Sequence, residues 1–362
     1  MTNLFDPMPL AHGPVLKNRF MLAPLTNMQS HADGTLSDDE FRWLVKRAEG
    51  SFGLTMTCAA HVQAKGQGFP GQLGIFDDAH LPGLTRLAAA LNKNGTHSVV
   101  QLHHAGMRSP AELIGEAPHC PSENAEFSAR AMSLDEVKAS RDAFIAAAVR
   151  AEKAGFHGVE LHGAHGYLIC QFLSGEVNQR TDEYGGSFEN RRRFLDECIA
   201  GVRAACGKDF SLGVRLSPER FGMDIAEILA LAEDLMTSGD IDYLDMSLWD
   251  CFKEPEDARY KGETLLDRFA ALDRGSCKLG AAGKLTTGAA CQRAVEAGLD
   301  YVVIGRGAIL HHDFPEQVKA NADFTPIALP VPEEHLVAEG LGPVFITYMK
   351  SWKGFVAEAA TA

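Results

Sequence analysis

Residues 151–162 read AEKAGFHGVELH. An alanine-rich helical stretch ends there at Gly155, and the apolar run Val159–His162 follows within a few residues. Glycine suits the left-handed backbone conformation that ends many helices. A short apolar run is typical of a strand that is buried on both faces of a parallel sheet. The stretch therefore predicts a helix that leads directly into a buried strand.

This order of helix, glycine and strand recurs along the chain. The helix before Gly155 also begins with a capping box, Ser133 with Glu136, which marks its amino terminus. The repetition indicates one structural unit used many times. The other copies are residues 45–57, 87–102, 236–247 and 295–305, with their glycines at Gly50, Gly95, Gly239 and Gly298.

The apolar runs amount to eight candidate strands, with helical segments between most of them. Eight alternating units predict an α/β fold with a single closed (β/α)8 TIM barrel. An open doubly wound sheet is the alternative, but it favours a Gly-x-Gly-x-x-Gly turn after the first strand, where this chain has Pro24-Leu25-Thr26. The predicted strands are Phe20–Ala23, Leu54–Cys58, Ser98–Leu102, Val159–His162, Ser211–Arg215, Tyr243–Met246, Cys277–Ala282 and Tyr301–Ile304.

The uneven spacing of the strands locates the insertions. Long polar segments follow the third strand, at Ser109–Ser133, and the sixth strand, at Trp249–Arg274. Both follow strand carboxyl ends, the face on which barrel active sites lie. We predict a barrel over residues 1–323 and a C-terminal extension over residues 324–362 that packs on the barrel or on a neighbouring subunit.

The composition is that of an ordinary globular protein: 362 residues, 46% hydrophobic and 23% charged, with a formal net charge of −14. Without a basic block, nucleic acids and anionic membranes are poor candidates as partners. No apolar run approaches the roughly 18 residues of a spanning helix, and the first residues lack a secretory signal pattern. The eight cysteines form no Cys-x-x-Cys pair, which favours free and mostly buried thiols. We expect a cytoplasmic protein.

The densest group of reactive side chains lies in residues 160–167, Glu-Leu-His-Gly-Ala-His-Gly-Tyr. Strand alternation points Glu160 and His162 into the barrel. His162 is then at the carboxyl end of the fourth strand, and His165 and Tyr167 follow within one turn. Two imidazoles and a phenol at a barrel mouth can bind a carbonyl oxygen and supply a proton.

A metal site is the alternative at this place, because histidine is the commonest metal-binding side chain. A metal-dependent barrel hydrolase would use His162, His165 and either His103 or His104. Such a hydrolase usually has a His-x-His motif after its first strand, which this chain lacks. We therefore predict that the site holds no metal and keep the hydrolase as the alternative.

Three further polar side chains fall at strand carboxyl ends. Thr26 follows the first strand, Gln101 ends the third and Arg215 ends the fifth. Alternation points Arg215 inward, where a buried guanidinium needs an anionic partner. That partner is either Glu160 on the neighbouring strand or an anionic ligand.

The last two strands end in glycine-containing turns, Ala281–Lys284 and Ile304–Gly307. Barrels often bind phosphate on the loops after these strands through exposed backbone N–H groups. Lys284 and Arg306 would add positive charge. The alternative is that these glycines only permit tight turns.

Residues 157–194 read HGVELHGAHGYLICQFLSGEVNQRTDEYGGSFENRRRF and resemble the Old Yellow Enzyme family of FMN-dependent ene-reductases. The resemblance runs from about Leu4 to Phe314. It implies an FMN-binding barrel that uses NADPH or NADH to reduce the activated C=C bond of α,β-unsaturated carbonyl compounds. Further matches are Leu16–Phe20, Ala23–Thr26, Gln101–Gly106 and Ile304–Arg306.

The resemblance also implies roles for single residues. His162 and His165 would hold the carbonyl oxygen while hydride passes from flavin N5 to the β-carbon, and Tyr167 would give a proton to the α-carbon. The residues implied to contact the flavin ring are Pro24, Leu25, Thr26, Ala59, Gln101 and Arg215. Those implied to hold the phosphate are Gly283, Lys284, Gly305 and Arg306.

Two tryptophans are candidate walls of the substrate pocket, with simple packing as the alternative. Trp249 follows the sixth strand, and Trp352 lies in the extension, from which it can reach the pocket of its own or of a neighbouring subunit. The extension suggests a homodimer or larger homo-oligomer. A flavin-binding barrel without turnover is a further alternative to the enzyme.

Overall fold

Eight parallel strands close into a barrel in the computed structural model, which describes residues 3–358. Each strand pairs with its neighbours in sequence, and the eighth pairs with the first. This confirms the predicted (β/α)8 barrel, and the strand ends differ from the predicted ones by at most three residues. The barrel strands are β1 Phe20–Leu22, β2 Leu54–His61, β3 His97–His103, β4 Gly158–Gly163, β5 Ser211–Leu216, β6 Tyr243–Ser247, β7 Lys278–Ala282 and β8 Tyr301–Ile304.

Helices surround the barrel and connect its strands. They are α1 Asp38–Glu49, α2 Leu81–Lys93, α3 Ala111–Ile114, α4 Leu134–Lys153, α5 Leu168–Leu173, α6 Phe188–Ala205, α7 Ile225–Ser238, α8 Leu265–Ala270, α9 Gly288–Glu296, α10 Arg306–Leu310, α11 Phe314–Ala320, α12 Glu333–Ala338 and α13 Pro343–Lys350. None of the helices in residues 3–358 is both long and apolar enough to cross a membrane.

Local signals at the helix ends explain most of these boundaries. The predicted capping box of α4 is present, with Ser133 and Glu136 each accepting from the other's backbone N–H. Gly239 ends α7 in the left-handed conformation, at φ +79°. Gly50 does not, because its φ is −74° and the left-handed residue is Ser51. A Cβ on Gly50 would lie 1.9 Å from the carbonyl oxygen of His312, so close approach rather than φ requires this glycine.

The inward and outward faces of the strands have different partners. Val159 and Leu161 of β4 pack outward in the large cluster shared with the helices, as alternation predicts. A second apolar cluster lies toward the amino ends of the strands and includes Met8 and Leu16 from the segment before β1; we call it the lower barrel cluster. Its members are Met8, Leu16, Met21, Ala23, Leu54, Met56, Val99, Tyr243, Tyr301 and Val303.

Insertions at the carboxyl ends of the strands surround the barrel mouth. The segment after β3 contains α3 and a small parallel pair, His119–Cys120 with Arg130–Ala131. The segment after β4 contains α5, an insertion that we did not predict. The extension contains α12 and α13, while residues 1–2 of the predicted barrel and 359–362 of the predicted extension lie outside the described residues.

Candidate active site

A cavity of about 190 Å³ lies at the carboxyl-terminal mouth of the barrel. The structure brings together here residues from β2, β3, β4 and β5, from the loops after β1, β2 and β4, from α10 and from the C-terminal extension. Ten predicted site residues line the cavity: Pro24, Leu25, Thr26, Ala59, Gln101, His162, His165, Tyr167, Arg215 and Trp352. Three lining residues were not predicted: Phe69, Ile309 and Tyr348.

The turn after β4 sets the positions of the imidazoles and the phenol. His162 is the last inward residue of the strand, and His165 and Gly166 then adopt left-handed conformations at φ +62° and +70°. Tyr167 follows as the residue before α5. A Cβ on Gly166 would lie 2.9 Å from the ring of Phe221, so the sharp turn requires glycine there.

His162 presents a neutral N–H donor. Its Nδ1 accepts the backbone N–H of Ala164 at 3.3 Å, so the ring proton is on Nε2. Burial, followed by the charge of His165, holds the pKa of His162 well below its usual value of 6.5. A neutral imidazole that lines the cavity can therefore donate to a ligand oxygen over the whole physiological pH range.

His165 is held from two sides. Its Nε2 lies 2.7 Å from Ser247 Oγ on β6, and its backbone N–H donates to Ser217 Oγ at 3.0 Å. Burial lowers its pKa to about 3, so this imidazole is also neutral. If Ser247 donates to Nε2, the ring proton is on Nδ1, which makes Nδ1 the atom available to donate to a ligand.

The ring of Tyr167 packs against two imidazoles and a guanidinium. Its ring centroid lies 4.4 Å from that of His103 and 5.2 Å from that of His162, and the Arg108 guanidinium lies 5.0 Å from it. Burial raises the pKa of the Tyr167 phenol above 10. The hydroxyl is therefore protonated at neutral pH and can act as an acid.

Sequence reasoning missed two neighbours of this phenol. His103 was assigned only to the metal alternative, although alternation from Gln101 points it inward at the end of β3. Its Nδ1 accepts from Gln72 Nε2 at 3.0 Å, and it is buried beside Tyr167. Arg108 also donates to the carbonyl oxygen of His165 at 2.5 Å, but nothing in its local sequence marks that contact.

The floor of the cavity corrects one prediction. Arg215 Nε lies 3.0 Å from Asp245 Oδ2 on β6, so its nearest carboxylate is not that of Glu160. Glu160 instead accepts from Gln101 Nε2 at 2.8 Å. The reason is register, because Arg215 is paired directly with Asp245, whereas Glu160 is paired with Gly213. Alternation from Tyr243 would have placed Asp245 inward.

A buried carboxylate supports the segment that carries Thr26. Glu40 Oε1 accepts from Asn27 Nδ2 at 3.1 Å and from Cys58 Sγ at 2.9 Å. Cys58 thus donates a hydrogen bond in addition to filling apolar space. It and six other cysteines are buried, as expected. These contacts fix the residue that follows Thr26 against α1 and β2.

The predicted phosphate residues, Gly283, Lys284, Gly305 and Arg306, are not among the residues that line the cavity. A Cβ on Gly305 would meet nothing closer than 3.7 Å, so packing does not require a glycine there and the backbone stays open to a ligand. Gly283 differs, since its Cβ would lie 2.8 Å from the backbone nitrogen of Cys251. Lys284 Nζ is paired with Asp250 at 2.9 Å, so a phosphate would compete with that carboxylate.

The two tryptophans have different positions. Trp352 lines the cavity of its own chain, and the Arg306 guanidinium lies 5.9 Å from its ring centroid. Trp249 is 52% exposed at the rim, 6.4 Å from the ring of His165, and is not a lining residue. Only the tryptophan of the extension therefore faces this cavity directly.

The residues of the metal alternative do not converge as ligands. Within residues 3–358, the one group of three such side chains with ligand atoms inside 4.8 Å is His311, His335 and Glu339, none of which lines the cavity. Even there, His311 Nε2 accepts the backbone N–H of Ile327 at 3.0 Å. Metal binding through either nitrogen of His311 would disturb that hydrogen bond.

The guanidinium of Arg215 and the amide of Gln101 form the floor of the cavity, and the neutral imidazoles of His162 and His165 lie on its wall. Next to the lining residues Trp352 and Leu25 are the guanidinium of Arg306 and the open backbone of Gly305. The buried guanidinium of Arg215, which lines the cavity, and the open backbone at Gly305 fit the polar ring edge and the phosphate of a flavin mononucleotide. Fold and site together define a TIM-barrel oxidoreductase of the flavin-binding class.

Comparison with known proteins agrees with this class. The chain is 35% identical over 331 residues to the probable NADH-dependent flavin oxidoreductase YqiG of Bacillus subtilis, covering 88% of each chain. It is 36% identical over 323 residues to an NADPH dehydrogenase of Bacillus pumilus, covering 87% of this chain and 94% of the relative. The structure of the old yellow enzyme homologue from Zymomonas mobilis matches with a TM-score of 0.78 at 30% identity, covering 92% of this chain and 96% of that one.

Residues 3–323 match the NADH:flavin oxidoreductase / NADH oxidase family, and the chain belongs to this family, the Old Yellow Enzyme family. It is an NAD(P)H-dependent flavin oxidoreductase with FMN as its cofactor. Family membership sets aside both the metal-dependent hydrolase and the flavin barrel without turnover.

Proposed function

We propose that the enzyme reduces the activated C=C bond of α,β-unsaturated carbonyl compounds, in two half-reactions that share one cavity. The observation that carries this proposal is the pairing of a neutral His162 Nε2–H donor with a protonated Tyr167 on the same wall. One group binds an oxygen that gains negative charge, and the other supplies a proton. This pair matches the needs of an alkene conjugated to a carbonyl.

FMN would be held by the residues that the resemblance implies. The chemistry supplied by FMN when bound is hydride transfer, in from NAD(P)H and out to the β-carbon of the substrate. Its ring would be held by Pro24, Leu25, Thr26, Ala59, Gln101 and Arg215, and its phosphate by Gly283, Lys284, Gly305 and Arg306.

The wall residues would act on the substrate. His162 Nε2 donates to the carbonyl oxygen, and His165, held by Ser247, donates a second hydrogen bond from Nδ1. Both bonds strengthen as negative charge develops on that oxygen. Tyr167 gives its hydroxyl proton to the α-carbon, and its raised pKa keeps that proton in place until the carbanion-like carbon forms.

The extension would form part of the substrate pocket. Tyr348 and Trp352 line the cavity opposite the barrel strands and would limit the size of the substrate. We place the FMN-binding barrel at residues 1–323 and the extension at residues 324–362, and the homodimer or larger assembly stays a prediction.

The test is the visible spectrum of the FMN-loaded protein under anaerobic conditions, before and after NADPH and then after 2-cyclohexenone. We expect the flavin band to bleach with NADPH and to return with the enone. A band that bleaches but does not return with enones or enals would contradict the substrate class, while the flavin oxidoreductase activity would stand.

A further inference from the structure

Four inward side chains on adjacent strands form one layer beneath the cavity, which we call the charged layer. It consists of Gln101 on β3, Glu160 on β4, Arg215 on β5 and Asp245 on β6, and each is at most 5% exposed. The register pairs Gln101 with Glu160 and Arg215 with Asp245. The layer thus contains two carboxyl groups and a single guanidinium.

Hydrogen bonding in this layer is incomplete. Glu160 Oε2, Arg215 Nε and both carboxylate oxygens of Asp245 are buried without a hydrogen-bond partner among the described residues. Arg215 Nε and Asp245 Oδ2 are 3.0 Å apart, which is within ion-pair distance, but their geometry is not that of a hydrogen bond. A buried ion without a partner is costly, so two ionised carboxylates beside one guanidinium are not a stable arrangement.

The surroundings of Glu160 decide which carboxyl group holds a proton. Glu160 faces Gln101 from β3, Arg215 from β5, Tyr243 and Asp245 from β6, and Tyr301 from β8. Burial, and then the charge of Asp245, raises the pKa of Glu160 to about 8, against the opposing effects of Arg215 and Gln101. Asp245 has the guanidinium at 3.0 Å, whereas Glu160 has a neutral amide at 2.8 Å.

We propose that the charged layer holds one shared negative charge: Asp245 is ionised and positions Arg215, while Glu160 is a neutral acid with its proton on Oε2. Asp245 then fixes the guanidinium at the pyrimidine end of FMN and offsets its positive charge. Asp245 is a positioning residue, and the inference rests on the proposed placement of FMN over Arg215.

The net charge of this layer would therefore influence the reduction potential of the bound FMN. Reduction adds negative charge next to Arg215, so any change that leaves the guanidinium uncompensated favours the reduced form. The layer with one ionised carboxylate is neutral overall. Loss of both carboxyl groups would leave one positive charge.

Two nearly isosteric substitutions test this assignment: Glu160→Gln, Asp245→Asn and their combination. We expect Glu160→Gln to leave the midpoint potential unchanged at pH 7, because a neutral group replaces a neutral group. The double variant should shift the potential to more positive values. Asp245→Asn alone should shift it less, because Glu160 can then lose its proton and take over as the partner of Arg215.

A second measurement does not depend on turnover or on the potential. The infrared carbonyl stretch of a buried protonated carboxylic acid should be present in the wild-type protein and absent in both single variants. In the wild type, this band should also be lost as the pH rises through about 8. If Asp245→Asn does not fold, Glu160→Gln and the wild-type titration still decide the assignment.

Two results would overturn the inference. One is a positive shift of the potential in Glu160→Gln at pH 7 as large as in the double variant, which would make Glu160 the ionised partner. The other is a wild-type protein that binds FMN and is reduced by NADPH but has no protonated-carboxyl band. A wild-type protein that takes up no FMN would instead contradict the proposed function.

Discussion

The lower barrel cluster and the charged layer lie in the same barrel and share strands β3 and β6, yet they differ in how many of their buried polar atoms lack a hydrogen bond. In the lower cluster, the hydroxyl of Tyr301 donates to the carbonyl oxygen of Leu244 at 2.8 Å, the buried hydroxyl of Tyr243 has no hydrogen-bond partner within residues 3–358, and apolar side chains fill the remaining space. In the charged layer, a few residues further along, four polar atoms of Glu160, Arg215 and Asp245 have no hydrogen-bond partner in the part of the chain that the structure describes.

Glycines make the lower cluster a closely packed core. A Cβ on Gly213 would lie 2.1 Å from the ring of Tyr243, and one on Gly280 would lie 2.0 Å from the ring of Tyr301. Large side chains thus occupy the space opposite small ones, as in other well-packed barrels. The comparison teaches that apolar packing dominates the amino end of this barrel, while the buried polar side chains toward its carboxyl end are only partly hydrogen-bonded.

The largest effect that sharpens this comparison is expected at the mouth, from Tyr167→Phe. The phenylalanine ring keeps the packing against His103 and His162 but has no proton to give. We expect the oxidative half-reaction with an enone to slow by about 10²- to 10⁴-fold, with flavin reduction nearly unchanged. Stopped-flow measurement of the two half-reactions checks this.

Tyr184→Phe is the matched control for that experiment. Its hydroxyl donates to Glu197 at 2.7 Å, outside the cavity, so its loss should affect neither half-reaction. Equal slowing of both half-reactions in Tyr167→Phe would remove Tyr167 from the role of proton donor.

Much of the fold was predictable because its signals are local. A glycine after a helix and an apolar run after the glycine are read from a dozen residues, and five of the eight strands were located in this way, the other three from their apolar runs alone. The helix α5 was not predicted, because Leu168–Leu173 is buried throughout and has no polar face that would give it a helical period.

The site was predictable only where one strand or one turn determines it. His162, His165 and Tyr167 follow from a single turn, but the pairing of Arg215 with Asp245 depends on the register between two strands. Tyr348, which lines the cavity from the extension, depends on how distant segments pack, and no spacing in the sequence encodes that.

A smaller effect is expected from Leu54→Ala in the lower barrel cluster. Leu54 is fully buried, and removing its side chain should lower the free energy of unfolding by about 2–5 kcal/mol. Because the cluster lies beneath the charged layer, the affinity of the folded protein for FMN should be unchanged. Urea unfolding and a fluorescence titration with FMN measure the two quantities.

Leu87→Ala on α2 makes the same deletion outside the barrel and should also reduce stability alone. The comparison between the two ends of the barrel would break if Leu54→Ala weakened FMN binding while Leu87→Ala did not. In that case the lower barrel cluster would share in shaping the cavity.

The smallest effect concerns the pH dependence of stability at the amino end of β3. His97 is buried there, with Nε2 at 2.7 Å from Ser211 Oγ, and burial lowers its pKa to about 3. The unfolded chain then binds one proton more than the folded chain between about pH 6.5 and 3, so His97 makes the protein less stable as the pH falls. The contribution is about 1.4 kcal/mol per pH unit for one histidine.

His97→Gln should therefore reduce the slope of the unfolding free energy between pH 6 and pH 5 by about that amount, measured by urea unfolding at each pH. Ser211→Ala is the matched control, because it removes the hydrogen-bond partner of His97 without removing a titrating group and should keep the slope. FMN affinity should be the same in both variants, since His97 and Ser211 lie at the end of the barrel opposite the cavity. An unchanged slope in His97→Gln would mean that this imidazole is protonated in the folded protein, and the amino end of the barrel would then not be the neutral, closely packed core that distinguishes it from the mouth.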